Sequence, residues 1–177
     1  MPLRTIPLPL ANPRVRASLR RILEESTLCS IATVTPRGRA HINTAYVVYS
    51  HEFEFYFLSD PNSRHCRNLT TNPSLGMTIF DSTRTWGGAD RGVQLFGNAA
   101  ETRGDAAAKA ERTYAARFPP YARWMEGRTA KERALAADLR ALRFYRFRPT
   151  RLKILDETEF GGGVFVTAKI PRGARLR

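Results

Sequence analysis

Cysteine is scarce: the 177 residues hold two, Cys29 and Cys66. Two thiols cannot build a disulfide framework or a four-cysteine zinc site. Histidine is nearly as rare, and His41, His51 and His65 lack the HExxH spacing of a zinc peptidase. His41 and His51 therefore read as a strand-face and a turn residue, and no metal site is expected. Lysine supplies only Lys109, Lys131, Lys153 and Lys169 of the 29 cations, so the net charge of +13 is an arginine charge. It is spread from Arg4 to Arg177 with no lysine-rich tail, which argues against a dedicated nucleic-acid binder and for a local anion site. No apolar run approaches the ~18–20 residues of a membrane-spanning helix. No signal-peptide core of ~7–15 apolar residues follows Met1, where Pro2, Pro7 and Pro9 intervene, so a cytoplasmic location is expected. No GxGxxG, GxxxxGK[ST] or GxSxG is present, which leaves Rossmann, P-loop and α/β-hydrolase sites unsupported.

What is present is a globular composition, 42% hydrophobic and 25% charged. The length suits one domain. Residues 1–11 are expected as a loose arm. Asn12 caps a helix with Pro13 at its first position, and Val15, Leu19, Ile22 and Leu23 recur at helical spacing. A meander follows: Leu28–Thr35, the turn Pro36-Arg37-Gly38, Ala40–Tyr49, the turn Ser50-His51-Glu52, and Phe53–Ser59 with Phe53, Phe55 and Phe57 directed to the core. A short helix runs from about Ser63 to Leu69 and stops at Asn72-Pro73. Strands follow at Leu75–Phe80 and Gly92–Glu101, with a loop at Ser82–Asp90 between them. A helical insertion fills 104–140. Late strands are expected at Leu142–Arg148 and, after Pro149, near Leu152-Ile154. Residues 156–177 are left as a tail. The fold class is α+β: six to seven antiparallel strands closed into a barrel, with peripheral helices.

Chemistry concentrates between Leu58 and Leu69. Free N–H groups at a helix start attract anions. Ser63 adds a hydroxyl, Arg64 a bidentate fork and His65 a further donor. Ser59, at the strand end, lies within reach of the same anion, and Arg67 follows three residues after Arg64 on a neighbouring helix face. The set suits a phosphomonoester; an ordinary capped helix with solvated arginines fits equally well. Cys29 reads as core. Cys66 stands beside Arg64, His65 and Arg67, which would lower a thiol pKa.

The order of segments resembles the pyridoxamine 5′-phosphate oxidase-like, FMN-binding split-barrel superfamily. The resemblance rests on Arg39-Ala40-His41-Ile42-Asn43-Thr44, Phe55-Tyr56-Phe57-Leu58-Ser59, Asn62-Ser63-Arg64-His65, Asn72-Pro73, and Arg91-Gly92-Val93-Gln94-Leu95-Phe96-Gly97. It covers roughly residues 14–103. The resemblance implies a homodimer with FMN in a groove between subunits. It places the flavin phosphate at Ser63, Arg64 and His65, with Leu58 and Ser59 along the phosphate and ribityl chain. It sets Asn43, Thr44 and Tyr46 beside the ring, and it brings Gln94 from the partner subunit.

The chain also departs from the pattern. His65 replaces a lysine, which would make phosphate binding more sensitive to pH. Gly92 stands where the oxidase has glutamine, with Gln94 two residues on. The oxidase's C-terminal Arg-x-His signature is missing, and the tail reads Glu159-Phe160-Gly161-Gly162-Gly163 instead. Phe160 there reads either as a cap on a flavin face or as part of a plain turn. The expectation is an FMN-dependent oxidoreductase acting on an unknown small molecule, with the missing signature speaking against pyridoxamine phosphate. The alternatives are a non-catalytic flavin- or haem-binding protein and a deazaflavin-dependent reductase on the same fold.

Overall fold

Asn12 accepts a hydrogen bond from the Arg14 N–H, and Pro13 follows at the first helical position, so helix α1 (Pro13–Glu25) starts where the sequence predicts. The computed structural model describes residues 3–83 and 85–176. Strand β1 (Arg4–Pro7) precedes α1. Strands β2 (Leu28–Val34), β3 (Ala40–Tyr49) and β4 (Phe55–Ser59) form the meander, and helix α2 (Arg64–Thr71) leads to β5 (Ser74–Phe80) and β6 (Arg91–Glu101). Helices α3 (Asp105–Arg117), α4 (Pro119–Glu126) and α5 (Ala130–Ala141) make up the insertion. Then come β7 (Arg143–Asp156), the short α6 (Glu157–Phe160) and β8 (Val164–Lys169).

The sheet order is β1-β8-β7-β4-β3-β2-β5-β6, and β6 pairs back onto β7. Six antiparallel strands therefore close into a barrel, which removes their free edges. Residues alternate along each strand, so one set fills the interior. Ile31, Val47, Phe55, Phe57, Leu95 and Phe147 lie there, packed under α1 through Val15, Leu19 and Ile22. Each large side chain so buried contributes ~1.5–3 kcal/mol. A second cluster lies outside the barrel. Val48, Tyr56 and Phe144 on the outer face meet Ala110, Tyr114 and Tyr121 of the helical insertion.

Three expectations are corrected. Residues 4–7 are not loose: β1 pairs in parallel with β8, Arg4 opposite Val164. The tail is not irregular either, since it carries α6 and β8. The two late strands are one strand of 14 residues that passes through Pro149. A bulge makes this possible. The register with β6 shifts between Phe96 and Gly97, so Gly97 faces Pro149 while Phe96 faces Arg151. A side chain on residue 97 would run into the Arg148 carbonyl and Pro149, so the close crossing requires glycine. Phe53 also lies ahead of β4, in a turn at φ 59°, although its ring is buried as expected.

Candidate functional site

Strands β3 and β4 pair only through Val47–Tyr49 and Phe57–Phe55. Beyond that the two part. The rest of β3 pairs with β2, while Leu58 and Ser59 pair with β7 on the other side of β4. The segment Asp60–Ser63 turns the chain from β4 into α2. The Asp60 carboxylate accepts the Asn62 N–H at 2.8 Å, and the Ser63 N–H donates to the Asp60 carbonyl at 3.0 Å. Ser63 is the helix cap in extended backbone geometry, yet its side chain makes no capping bond.

Its hydroxyl faces His65 instead. Ser63 Oγ is 3.2 Å and Ser59 Oγ 2.7 Å from His65 Nε2. His65 is only 5% exposed and stacks at 6.3 Å on His41 of β3. Burial and the neighbouring His41 push its pKa down, against a smaller opposing effect of Asp60. His65 is therefore neutral near pH 7, with Nε2 shared between two hydroxyls. Asn68, one turn further along α2, donates to Thr33 Oγ1 of β2 at 2.9 Å and pins the helix to the barrel. Arg64 and Arg67 project the other way. With Arg37 and Arg39 of the β2–β3 turn they line a cleft of about 570 Å³.

The structure thus brings Ser59, Ser63 and His65 together at the start of α2, while Arg64 lines the neighbouring arginine cleft. Asn43 lies on the free part of β3, its amide donating to the Thr44 carbonyl at 3.1 Å. Thr44 and Tyr46 point outward from the sheet. The Tyr46 ring meets Phe118 edge-on at 5.5 Å. Leu58 packs against the outer helical cluster, which leaves its backbone at the strand end. Gln94 is not near this group within one chain. It stands opposite Thr78, which stands opposite Ser30, which stands opposite Thr44. Three strand spacings separate Gln94 from Thr44, about 14 Å. Gln94 lines a separate cleft of about 310 Å³ with Arg91, Lys153 and Phe165.

Several other candidates have different tasks. Cys29 and Cys66 are buried in the core, and burial pushes the Cys29 thiol up to about 12. Cys66 lies in the core while its chain neighbours Arg64 and Arg67 are exposed, so the sequence neighbourhood of cations is not a spatial one. His51 binds the Leu176 carbonyl through Nδ1 at 3.1 Å. Phe160 lies under the Arg14 guanidinium at 5.0 Å and packs on the core. Sequence reasoning missed Arg37 as a site residue. The available signal was its place in a turn between two paired strands, next to the strand that carries His41.

The sequence model of the pyridoxamine 5′-phosphate oxidase family matches residues 15–155. The chain belongs to that family. A curated pyridoxine/pyridoxamine 5′-phosphate oxidase from Bacteroides thetaiotaomicron is 28% identical over 95 residues, 54% of this chain and 42% of that relative. The match therefore spans less than half the length of that oxidase. Among solved structures, a haem-binding protein from Mycobacterium smegmatis superposes with a TM-score of 0.65 at 18% identity, covering 87% of this chain and 57% of that one. A pyridoxinephosphate oxidase family protein from Clostridium acetobutylicum, related to general stress protein 26, gives 0.61 at 14% identity over 88% and 94% of the two chains. These likenesses show the split-barrel fold of the pyridoxamine 5′-phosphate oxidase family. No helix among the described residues is long and apolar enough to cross a membrane.

Proposed function

We propose that this member of the family binds FMN and acts as a homodimeric oxidoreductase on a small-molecule substrate. The observation that carries the reading is the polar set at the start of α2. Two hydroxyls and a neutral imidazole stand beside backbone N–H groups without helical partners, and the Arg64 guanidinium lines the adjoining cleft. A dianionic phosphate needs that donor set. Ser59, Ser63 and Arg64 would hold its oxygens. His65 would donate a further bond from Nε2 once the two hydroxyls turn toward the anion, and negative charge there would favour its protonated form. Bound FMN would supply a hydride acceptor at its ring. The chain's own residues would bind, orient and shield it: Asn43, Thr44 and Tyr46 from β3, and the Leu58 backbone at the end of β4.

Dimerisation is supported by the outer sheet face. Ile42 and Tyr46 of β3 are 69% and 56% exposed, and Leu28 and Phe80 are exposed on neighbouring strands of the same sheet. Association through this face would cover those side chains and bring the partner subunit's Gln94 toward the ring.

Haem draws support from the Mycobacterium smegmatis neighbour. Haem iron needs an axial ligand, for which His41 and His65 are the candidates here; the hydroxyls around the His65 Nε2 suit a phosphate, which is why the flavin is preferred. The test is an absorption spectrum of the purified protein on a sizing column, with and without FMN. A flavin spectrum co-eluting at dimer mass is expected. A colourless protein that ignores FMN, or one that gives a Soret band with added haem, would overturn the reading.

A further inference from the structure

We infer that Trp86 closes the site of the partner subunit: in the dimer its indole lies across the partner's Tyr46 and makes the substrate wall aromatic, so the site takes a flat conjugated ring. The dimer and its flavin rest on the function proposed above; the presentation of Trp86 stands without them.

The first observation is the loop that carries the indole. Residues 81–90 join β5 to β6. Trp86 is 99% exposed, so its ring covers nothing among the described residues of its own chain. The loop is nevertheless built. Thr83 donates to the Asp81 carboxylate from its N–H at 2.9 Å and from its hydroxyl at 2.6 Å. The Gly88 N–H donates to the Thr85 carbonyl at 3.0 Å, and Gly87 sits at φ 87°, the geometry of a type II turn. The far end is clamped to α6. There the Asp90 N–H donates to the Glu157 carboxylate at 3.1 Å, and the Glu157 N–H to the Asp90 carbonyl at 3.0 Å. A tip so anchored projects at most about 17 Å from its roots. A held turn that presents a bare indole is suited to a surface outside its own chain.

The second observation is what lies in line with that loop. Leu28 pairs with Tyr46, and the β2–β5 register, Ser30 opposite Thr78, runs on to set Phe80 opposite Leu28. Phe80, Leu28 and Tyr46 therefore form one row across three strands, each about half exposed. Gly92 follows on β6, where a Cβ would meet that of Phe80 at 2.9 Å, so no side chain crowds the row there. The Trp86 loop leaves from the Phe80 end. Tyr46, backed edge-on by Phe118, marks the other.

Symmetry selects the occupant. A two-fold axis along the strands, through the middle of the row, turns the row end for end. The Phe80 end of one subunit then faces the Tyr46 end of the other, and the loop that leaves Phe80 brings its indole over the partner's Tyr46. The same rotation carries Gln94 toward the partner's ring, because Gln94 stands on β6, the strand into which the loop runs. Gln94 contributes an amide and Trp86 an aromatic face. With Tyr46 and Phe118 the wall then holds three aromatic rings, which favour stacking on a planar conjugated ring over contact with a sugar or an aliphatic chain.

The test uses Trp124→Phe, which leaves Trp86 as the one tryptophan of the chain. Its emission and acrylamide quenching are read with and without FMN, at concentrations where a sizing column gives dimer and monomer. In the dimer the emission shifts to the blue, and quenching is about threefold weaker than for free N-acetyltryptophanamide. Quenching equal to that of the free amide overturns the inference. So does a shift already complete in the monomer, which would put the indole on its own chain. The ring preference is read with naphthol, titrated into FMN-loaded protein and followed by flavin absorption. Trp86→Ala weakens naphthol binding about tenfold and Trp86→Phe restores most of it, while FMN affinity stays within about twofold. A wild type that ignores naphthol, or equal binding by Trp86→Ala, overturns the aromatic wall. A thermal melt checks that the loop variants fold. A dimer that covers Trp86 yet ignores FMN keeps the contact with the partner and removes the flavin reading.

Discussion

The arginines around Asp156 and Glu54 differ from those around the β2–β3 turn in one respect: the first are bonded and the second are not. Asp156 is fully buried where α1, β6, β7 and α6 meet. It accepts from Ser18 Oγ at 2.7 Å and from Arg21 at 3.2 Å, and Arg91 lies 3.4 Å away while also reaching Glu25. Glu54 is its counterpart on the far side of the barrel. Burial alone would raise its pKa, but bonds from Tyr56, Lys109 and Arg148 hold it down at about 2. Arginine thus does two jobs in one chain. Where a buried carboxylate waits, it ties elements together; where none does, its charge is left for something outside the chain.

Breaking the first group has the largest expected effect. Asp156→Ala leaves Arg21 and Arg91 short of their shared partner and should cost ~3–5 kcal/mol in urea denaturation. Acid is the next probe. The folded pKa of Glu54, about 2, lies below its ordinary 4.5, so its stabilisation is present above pH 4.5 and is lost as pH falls toward 2. That loss is on the order of 2–3 kcal/mol. His65 acts in the same direction, because its depressed pKa makes the fold lose stability below its ordinary 6.5. Denaturation midpoints followed into acid should show both, and Glu54→Gln should flatten the lower limb alone. The second group answers to a different assay. Arg64→Ala should weaken FMN binding by roughly 1.5–3 kcal/mol and leave stability within about 0.5 kcal/mol, read by flavin fluorescence and urea melts on the same sample. A variant at Arg64 as unstable as Asp156→Ala would erase the distinction.

The sequence displays what is local. The Asn12-Pro13 cap, the burial of Phe53, Phe55 and Phe57, and the helix start at Ser63 all act over a few residues, and each is found in the fold, although Phe53 stands in a turn ahead of β4. The segment order was enough to indicate the split barrel and the serine–arginine–histidine start of α2. Distant partners were hidden. Nothing near Arg4–Pro7 signals a parallel neighbour in β8. Pro149 reads as a break because its ring removes a donor, and only the facing Gly97 shows why the strand continues. The same limit applies at the site. His65 looks like a surface phosphate ligand until the fold supplies His41, Phe57 and two hydroxyls around its ring. Arg37 looks like a turn residue until α2 lies beside it.

The pairing of β1 with β8 also orders events in time. Arg4 meets Val164, so this contact closes nearly the whole chain into one loop, and the entropy of that closure must be met by a four-residue ladder and the partial burial of Ile6, Leu8 and Leu10 on the core. The hairpins β2–β3 and β5–β6 form between neighbours and face no such delay. The parallel ladder therefore forms late, after the barrel has closed and fixed β8 in place. It contributes to how slowly the folded chain comes apart and little to how fast it assembles.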